Sequence, residues 1–246
     1  MKDELLTRRF PSLDLARALI VAATLASISS LAAAQTAALA PGKTPAPPAA
    51  PIVPLTPPEP EVAVMVPLDQ LMAMGPLPDI VQGSATAPGT IVEYASMTCT
   101  HCAAFHETIW PDLKAKYVDS GRVKFILREF PLDPLATAGF MLARCAGPDK
   151  RNLLIDQLFS QQKNWAFVDK PIQPLLDIVK QTGMSQTDFE TCLKNQELYD
   201  QVNQSRDRAA DAFNIDATPT FFVNGRKLVG ELTLADFDRL LQDAPK

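Results

Sequence analysis

Thr98-Cys99-Thr100-His101-Cys102-Ala103-Ala104-Phe105-His106 holds two of the four cysteines and both histidines of a 246-residue chain. It follows a strand-like run, Thr90-Ile91-Val92-Glu93-Tyr94-Ala95-Ser96. It opens a helix-like run in which Cys102, Phe105, His106, Ile109 and Leu113 recur at helical spacing. A C-x-x-C pair at a strand-to-helix turn is a redox dithiol arrangement. The first Cys lies where unpaired backbone N–H groups and the positive helix end favour an anion. That placement lowers its pKa, and the thiolate is the reactive form. The second Cys, one turn on, is within reach of a mixed disulfide formed by the first.

Other readings of this stretch fit less well. A structural zinc site wants a second Cys or His pair at similar spacing, whereas Cys145 and Cys192 stand alone. A c-type haem needs His directly after the second Cys, and Ala103 is there. A purely structural disulfide across so short a loop makes a strained, easily reduced ring.

The length suffices for one domain with a good core. A formal charge of −5 argues against nucleic acid as a partner. Four cysteines fit two disulfides in an oxidising compartment. The N-terminus supports that compartment. Lys2, Arg8, Arg9 and Arg17 precede the apolar run Ala18 to Ala34, which ends Leu31-Ala32-Ala33-Ala34-Gln35. This predicts a secretory signal peptide over 1–34, cleaved after Ala34; the alternative is an uncleaved anchor. Arg8-Arg9 raises twin-arginine export, but Phe10-Pro11-Ser12 fits that pattern poorly. No Cys follows the apolar run, so no lipoprotein anchor is expected. Residues 35–78 read as a Pro/Ala-rich linker and leader. Within it, Pro41 to Pro60 is an extended, solvated spacer, either a tether or a leader with no role. Leu68 to Met72 reads as a short helical turn, and packing is expected from about Asp79.

Thr90 to Ser96 is a buried central strand in this reading. Glu93 is its anomaly: it shares a face with Ile91 and Ala95, so it is either a buried carboxylate or an edge residue facing water. The following helix runs from Cys99 toward Tyr117, with a kink or break expected near Trp110 because Pro111 removes an N–H and clashes with the previous turn. Val123 to Phe130 is the next strand, parallel to the first. A helical period then holds over about 133–214. Asp133 caps and Pro134 starts the first of five helices, which Gly147-Pro148 closes. Leu153, Leu154, Leu158 and Phe159 mark the second, and Pro171 to Thr182 the third. Ser185 and Asp188 form a capping-box-like start for the fourth, and Leu198, Val202, Ala209 and Phe213 carry the fifth, stopped by Asn214. Thr220-Phe221-Phe222-Val223 and Lys227-Leu228-Val229 flank Asn224-Gly225, a tight-hairpin signal. Thr233 and Asp236 cap a last helix. The order predicts an α/β chain: a thioredoxin fold over 79–246, with an all-helical domain inserted between the second and third core strands.

At this point the chain resembles the DsbA-like thioredoxin family of exported thiol–disulfide oxidoreductases. The resemblance rests on Cys99-Thr100-His101-Cys102, the helical insert, and Thr218-Pro219-Thr220 before the hairpin. It implies that Cys99 is the attacking, solvent-facing thiolate and Cys102 the buried resolving thiol. His101 matches the family's dipeptide His, which favours the thiolate and so the reduced form; a protein whose reduced form is stabilised is an oxidant. Thr100 departs from the Pro found in the strongest oxidants. Glu93 matches the family's buried acid and would relay protons to and from Cys102. Pro219 would be cis, beside the dithiol, and its loop with Thr218 would pair with extended substrate. Cys145 and Cys192, on inward helix faces, are a structural disulfide, two separate buried thiols, or a second redox pair.

The expected function is an exported dithiol oxidase that passes the Cys99–Cys102 disulfide to reduced, folding exported proteins. The resemblance implies re-oxidation by a membrane quinone-linked partner of the DsbB type, a periplasmic location and a monomer. No cofactor is expected: the sequence holds no nucleotide motif and no convincing metal site. Two rivals remain. One is an isomerase or reductase using the same residues; the other is a non-catalytic thioredoxin-like binding module.

Overall fold

In the computed structural model, which describes residues 64–242, the chain begins with one helical turn, α1 (Leu68–Leu71). The expected signal peptide and the Pro-rich spacer lie outside the described residues. Packing starts ahead of Asp79: Leu71 is fully buried against Val92, Tyr94 and Ile126. A two-residue strand, β1 (Val81–Gln82), then joins the sheet edge. It is too short to leave a period in the sequence.

All seven residues of β2 (Gly89–Ala95) are buried, as a central strand covered on both faces must be. The helix α2 (Thr100–Thr108) follows. It stops before Pro111, and a separate turn α3 (Trp110–Leu113) restarts with the proline in its first turn, where the missing N–H costs nothing. A π-helical turn (Lys114–Val118) leads to β3 (Val123–Glu129). The break expected near Trp110 is there, and the π-helical turn adds a second, so the helical stretch as far as Tyr117 is three short pieces. Strands β2 and β3 are parallel, in register Glu93 to Leu127.

Six helices separate β3 from the next strand: α4 (Pro134–Cys145), α5 (Pro148–Ser160), α6 (Gln162–Trp165), α7 (Ile172–Gln181), α8 (Gln186–Leu193) and α9 (Gln196–Phe213). Five of them stand where the sequence period puts them. The short α6 was not foreseen; it buries Gln162 and Trp165. The helix ends follow local chemistry. Asp133 accepts from Ala136 N–H to cap α4, and Ser185 with Asp188 forms a capping box on α8. Asn214 ends α9 in the left-handed region at φ 51°, which Asn tolerates better than a branched residue. Leu153, counted with the α5 face, points outward; Arg151 takes the inward place.

β4 (Thr220–Val223) pairs antiparallel with β2, and β5 (Arg226–Val229) with β4. Asn224 and Gly225 both have positive φ in the two-residue turn between them, as such hairpins require. The last helix, α10 (Leu234–Leu241), begins with the Thr233–Asp236 capping box. The sheet order is β1-β3-β2-β4-β5. This is the thioredoxin fold with a helical insertion between β3 and β4, and β2 is its middle strand.

Two buried charge groups fix the sheet to its surroundings. Arg128 forks onto Asp79 and also donates to Tyr94 Oη and Leu71 C=O. Glu129 accepts from Arg144 on α4 and Arg151 on α5, so the insert is docked through a carboxylate on β3. Cys145 and Cys192 are joined by a disulfide, tying the end of α4 to α8 across 47 residues. On the chain-entropy model such a loop stabilises by ~4 kcal/mol. Replacing both cysteines with Ala is expected to lower the urea-unfolding free energy by about that amount, and unchanged unfolding would show that the bridge contributes nothing.

Candidate active site

The turn between β2 and α2 is held from three sides before its chemistry begins. Ser96 Oγ accepts from Leu132 N–H. Thr98 Oγ1 donates to Asp133 Oδ2 at 2.5 Å, so the residue that caps α4 also anchors the turn. Gln162 Nε2, buried on α6, donates to the carbonyls of Met97 and Cys99, both at 2.9 Å. The insert thus fixes the backbone that carries the dithiol. Gly139 of α4 allows that approach, since a Cβ there would stand 3.0 Å from Met97 Cγ.

Cys99 is the N-cap of α2. Its sulfur accepts from Cys102 N–H at 3.2 Å, taking the place that a Ser or Asp oxygen usually fills. Both thiols are free. The Cys99 pKa is lowered to about 6. The largest cause is the hydrogen bond from the Cys102 thiol; burial opposes it, and the Thr218 hydroxyl and the N–H groups of Cys102 and His101 add to the lowering. Cys102 moves the other way, well above the ordinary thiol range, through burial first, then the hydrogen bond to Cys99, then the Glu93 charge. One helix turn therefore holds a thiol that ionises easily and one that does not. Cys99 was expected to face solvent. It is 7% exposed against 0% for Cys102, so access to the pair is narrow and comes from the Cys99 side.

The Thr218–Pro219 peptide is cis, and its loop closes over the dithiol. Cys99 Sγ donates to Thr218 C=O at 3.3 Å. Thr218 Oγ1 is buried without a hydrogen-bond partner. The structure thus brings Cys99, Cys102, Thr218 and Pro219 together.

His101 projects outward, its side chain 63% exposed, and pairs through Nδ1 with Glu231 in the loop before α10. The hydrogen bond and the charge of Glu231 raise its pKa, favouring the imidazolium. Sequence reasoning missed Glu231, since nothing links it to His101 before the chain folds. A shallow cleft opens beside this pair, lined by Ala104, Phe105, Ile109 and Leu232.

Glu93 is fully buried on β2, and its Oε2 lies 2.9 Å from His106 Nε2. Burial works against the imidazolium, but Glu93, and then Asp156, outweigh it and raise His106 to about 9. Of the two sequence alternatives for Glu93, the structure has the buried one. Its charge acts on Cys102, while its role stays a matter for proposal. Among the described residues no group of three or more His, Cys, Asp or Glu side chains could hold a metal.

Comparison with known proteins follows this geometry. Residues 77–243 match the family model described as thioredoxin. A protein of Rickettsia conorii named "Putative protein-disulfide oxidoreductase" is 35% identical over 60% of this chain and 53% of its own length. One from Rickettsia typhi of the same description is 32% identical over 68% of this chain and 64% of its own. The chain thus spans about half to two thirds of these curated relatives. Among solved structures, alpha-DsbA1 of Wolbachia pipientis superposes with a TM-score of 0.65 at 28% identity, covering 70% of this chain and 93% of that one.

The asymmetry of the two thiols gives a titration to measure. Thiolate absorbance of the reduced protein is expected to rise with a midpoint of about 6. The thiolate is present above that pH and lost below it, and the step should vanish in Cys99→Ser. A midpoint in the ordinary thiol range near 8.5 would contradict this reading of the helix cap. The dithiol at the head of α2, the cis-Pro219 loop above it, the helical insert and the matched family model together show that this chain belongs to the DsbA-like branch of the thioredoxin family.

Proposed function

We propose that the chain is an exported thiol–disulfide oxidoreductase working as a dithiol oxidase. The observation that carries this reading is the split between the two thiols of one helix turn: Cys99 is lowered to about 6, and Cys102 is raised. A thiolate stabilised at Cys99 stabilises the reduced form, which makes the disulfide form the oxidant. A client thiolate attacks Cys99 Sγ, the Cys99–Cys102 bond breaks, and Cys102 leaves with the electron pair and takes a proton. A second client thiol then attacks the client sulfur of the mixed disulfide. The client keeps a disulfide and the protein keeps two thiols.

The remaining roles follow the same logic. His101 holds positive charge near the thiolate, Glu93 moves the Cys102 proton, and the Thr218–Pro219 loop offers backbone to an extended client. Residues 1–34 direct export, 35–78 lead into the domain, and the domain with its insert occupies the rest. The Cys145–Cys192 bridge supports an oxidising, periplasm-like space, where such bonds persist. The partners in this reading are reduced exported proteins and a quinone-linked membrane oxidase of the DsbB type, which takes the electrons from a monomer.

A second reading, reductase or isomerase, is compatible with the same value. A Cys99 pKa of about 6 stands between roughly 7 for thioredoxin and roughly 3.5 for the strongest oxidant of this fold. At neutral pH the lowered pKa is worth about tenfold, or about 30 mV. The direction of electron flow is therefore read from the potential itself. With Cys145–Cys192 intact, the oxidase reading expects a Cys99–Cys102 potential at or above about −180 mV, together with thiol loss in a reduced unfolded client. A value near −270 mV, with no net oxidation of the client, would assign the reductase direction instead.

A further inference from the structure

The reaction leaves a proton problem at Cys102. Its sulfur is fully buried, and a thiolate expelled there must be protonated or remain an unpaired buried charge. Glu93 is equally buried, and its Oε1 has no hydrogen-bond partner among the described residues. A carboxylate in that position cannot exchange protons with water by itself.

The structure gives it a neighbour that reaches the surface. Glu93 Oε2 meets His106 Nε2 at 2.9 Å. The imidazole, stacked on Phe159 at 4.4 Å between centroids, turns its other nitrogen toward α5. There Nδ1 lies 3.6 Å from Asp156 Oδ1, with no closer partner. Asp156 is half exposed, so its side chain can close that gap by rotating. His106 and Asp156 also line a cleft with Glu107, Trp110, Lys114 and Gln157. The ring therefore bridges a sealed carboxylate and an open surface.

We propose that His106 and Asp156 are positioning residues that carry protons between Glu93 and this rear cleft, making it the proton exit of Cys102. The proposal rests on the thiol–disulfide exchange reading and extends it. In reduction, the electron pair released on Cys102 Sγ takes a proton through Glu93, and Glu93 takes one from Nε2 of the neutral ring as Nδ1 takes one from solvent past Asp156, which leaves the ring proton on Nδ1. Re-oxidation runs the same protons back, so the ring is reset without turning over. No other reactant is needed. The charged and titratable groups facing His106 are Glu93 on β2, Cys102 and Glu107 on α2, Lys114 beyond α3, and Asp156 on α5. Of these, Glu93 and Asp156 pair with its two nitrogens.

The test is single-turnover reduction of the Cys99–Cys102 disulfide by dithiothreitol in the full chain across a pH series, counting thiols after acid quench and alkylation. His106→Gly is expected to slow the step at high pH by about a hundredfold, the lower end for a lost proton-transfer group. Added imidazole should restore the rate in a saturable way. Pyrazole, which has the same shape and is a far weaker base, should not. Rescue by both rings alike, or no slowing, would overturn the proposal by showing that His106 only fills space. If His106→Gly fails to fold, Asp156→Asn at the surface serves. It should slow the step at high pH and alter its pH profile while the fold is retained by circular dichroism; an unaltered pH profile would overturn the relay. A wild-type disulfide that exchanges with no thiol overturns both readings. One that exchanges while the variants are indifferent overturns the relay alone.

Discussion

A sulfur that caps a helix can hold negative charge only while the first turn of that helix stays in place. Cys99 accepts the Cys102 N–H at the head of α2, and its thiolate is favoured first by the Cys102 thiol, then by the Thr218 hydroxyl and the N–H groups of that turn. Each neighbouring element serves that contact. β2 delivers Cys99 from the middle of the sheet. Gln162 and Asp133 hold the turn by its carbonyls and by Thr98. The cis-Pro219 loop covers the sulfur and sets the Thr218 carbonyl and hydroxyl beside it.

The helical insert is part of this arrangement and not an appended lid. It docks onto β3 through Glu129, whose carboxylate is paired with Arg144 and Arg151 in an almost fully buried setting. Removing one partner of such a group costs about 3–5 kcal/mol, because the other charge is left uncompensated. A second buried pair, Glu93 with His106, lies beneath the dithiol on the same side of the sheet as α2. Among the described residues two carboxylates are buried in the core, Glu129 on β3 and Glu93 on β2. The first joins the insert to the sheet. The second lies where its charge acts on Cys102.

Local signals made the architecture readable in the sequence, and pairings between distant residues stayed hidden. Cys99 and Cys102 at the strand-to-helix turn, the Ser185–Asp188 and Thr233–Asp236 boxes, and Asn224-Gly225 each fix a conformation within a few residues. They give the element order and place the insert. β1 was missed because two residues carry no period, and α6 because one turn buries only Gln162 and Trp165. Arg151 was missed because a charged residue on a core face looks like surface until Glu129 is placed opposite it. Glu231, Gln162 and Asp156 reach the site from far along the chain, and no spacing rule connects them to it. His106 was visible as a polar residue on an apolar helix face. Its meaning depended on which carboxylates fold against its two nitrogens.

The claim at the centre is that Cys99, and not Cys102, is the sulfur that meets a client. Trapping tests it most directly. The variants Cys102→Ser and Cys99→Ser would each be mixed with an extended peptide whose single cysteine is held as a disulfide with glutathione. The products would be read by intact mass. The account predicts a persistent mixed disulfide with Cys102→Ser, joined at Cys99, and none with Cys99→Ser. Equal trapping by the two variants, or attachment at Cys102, would contradict it.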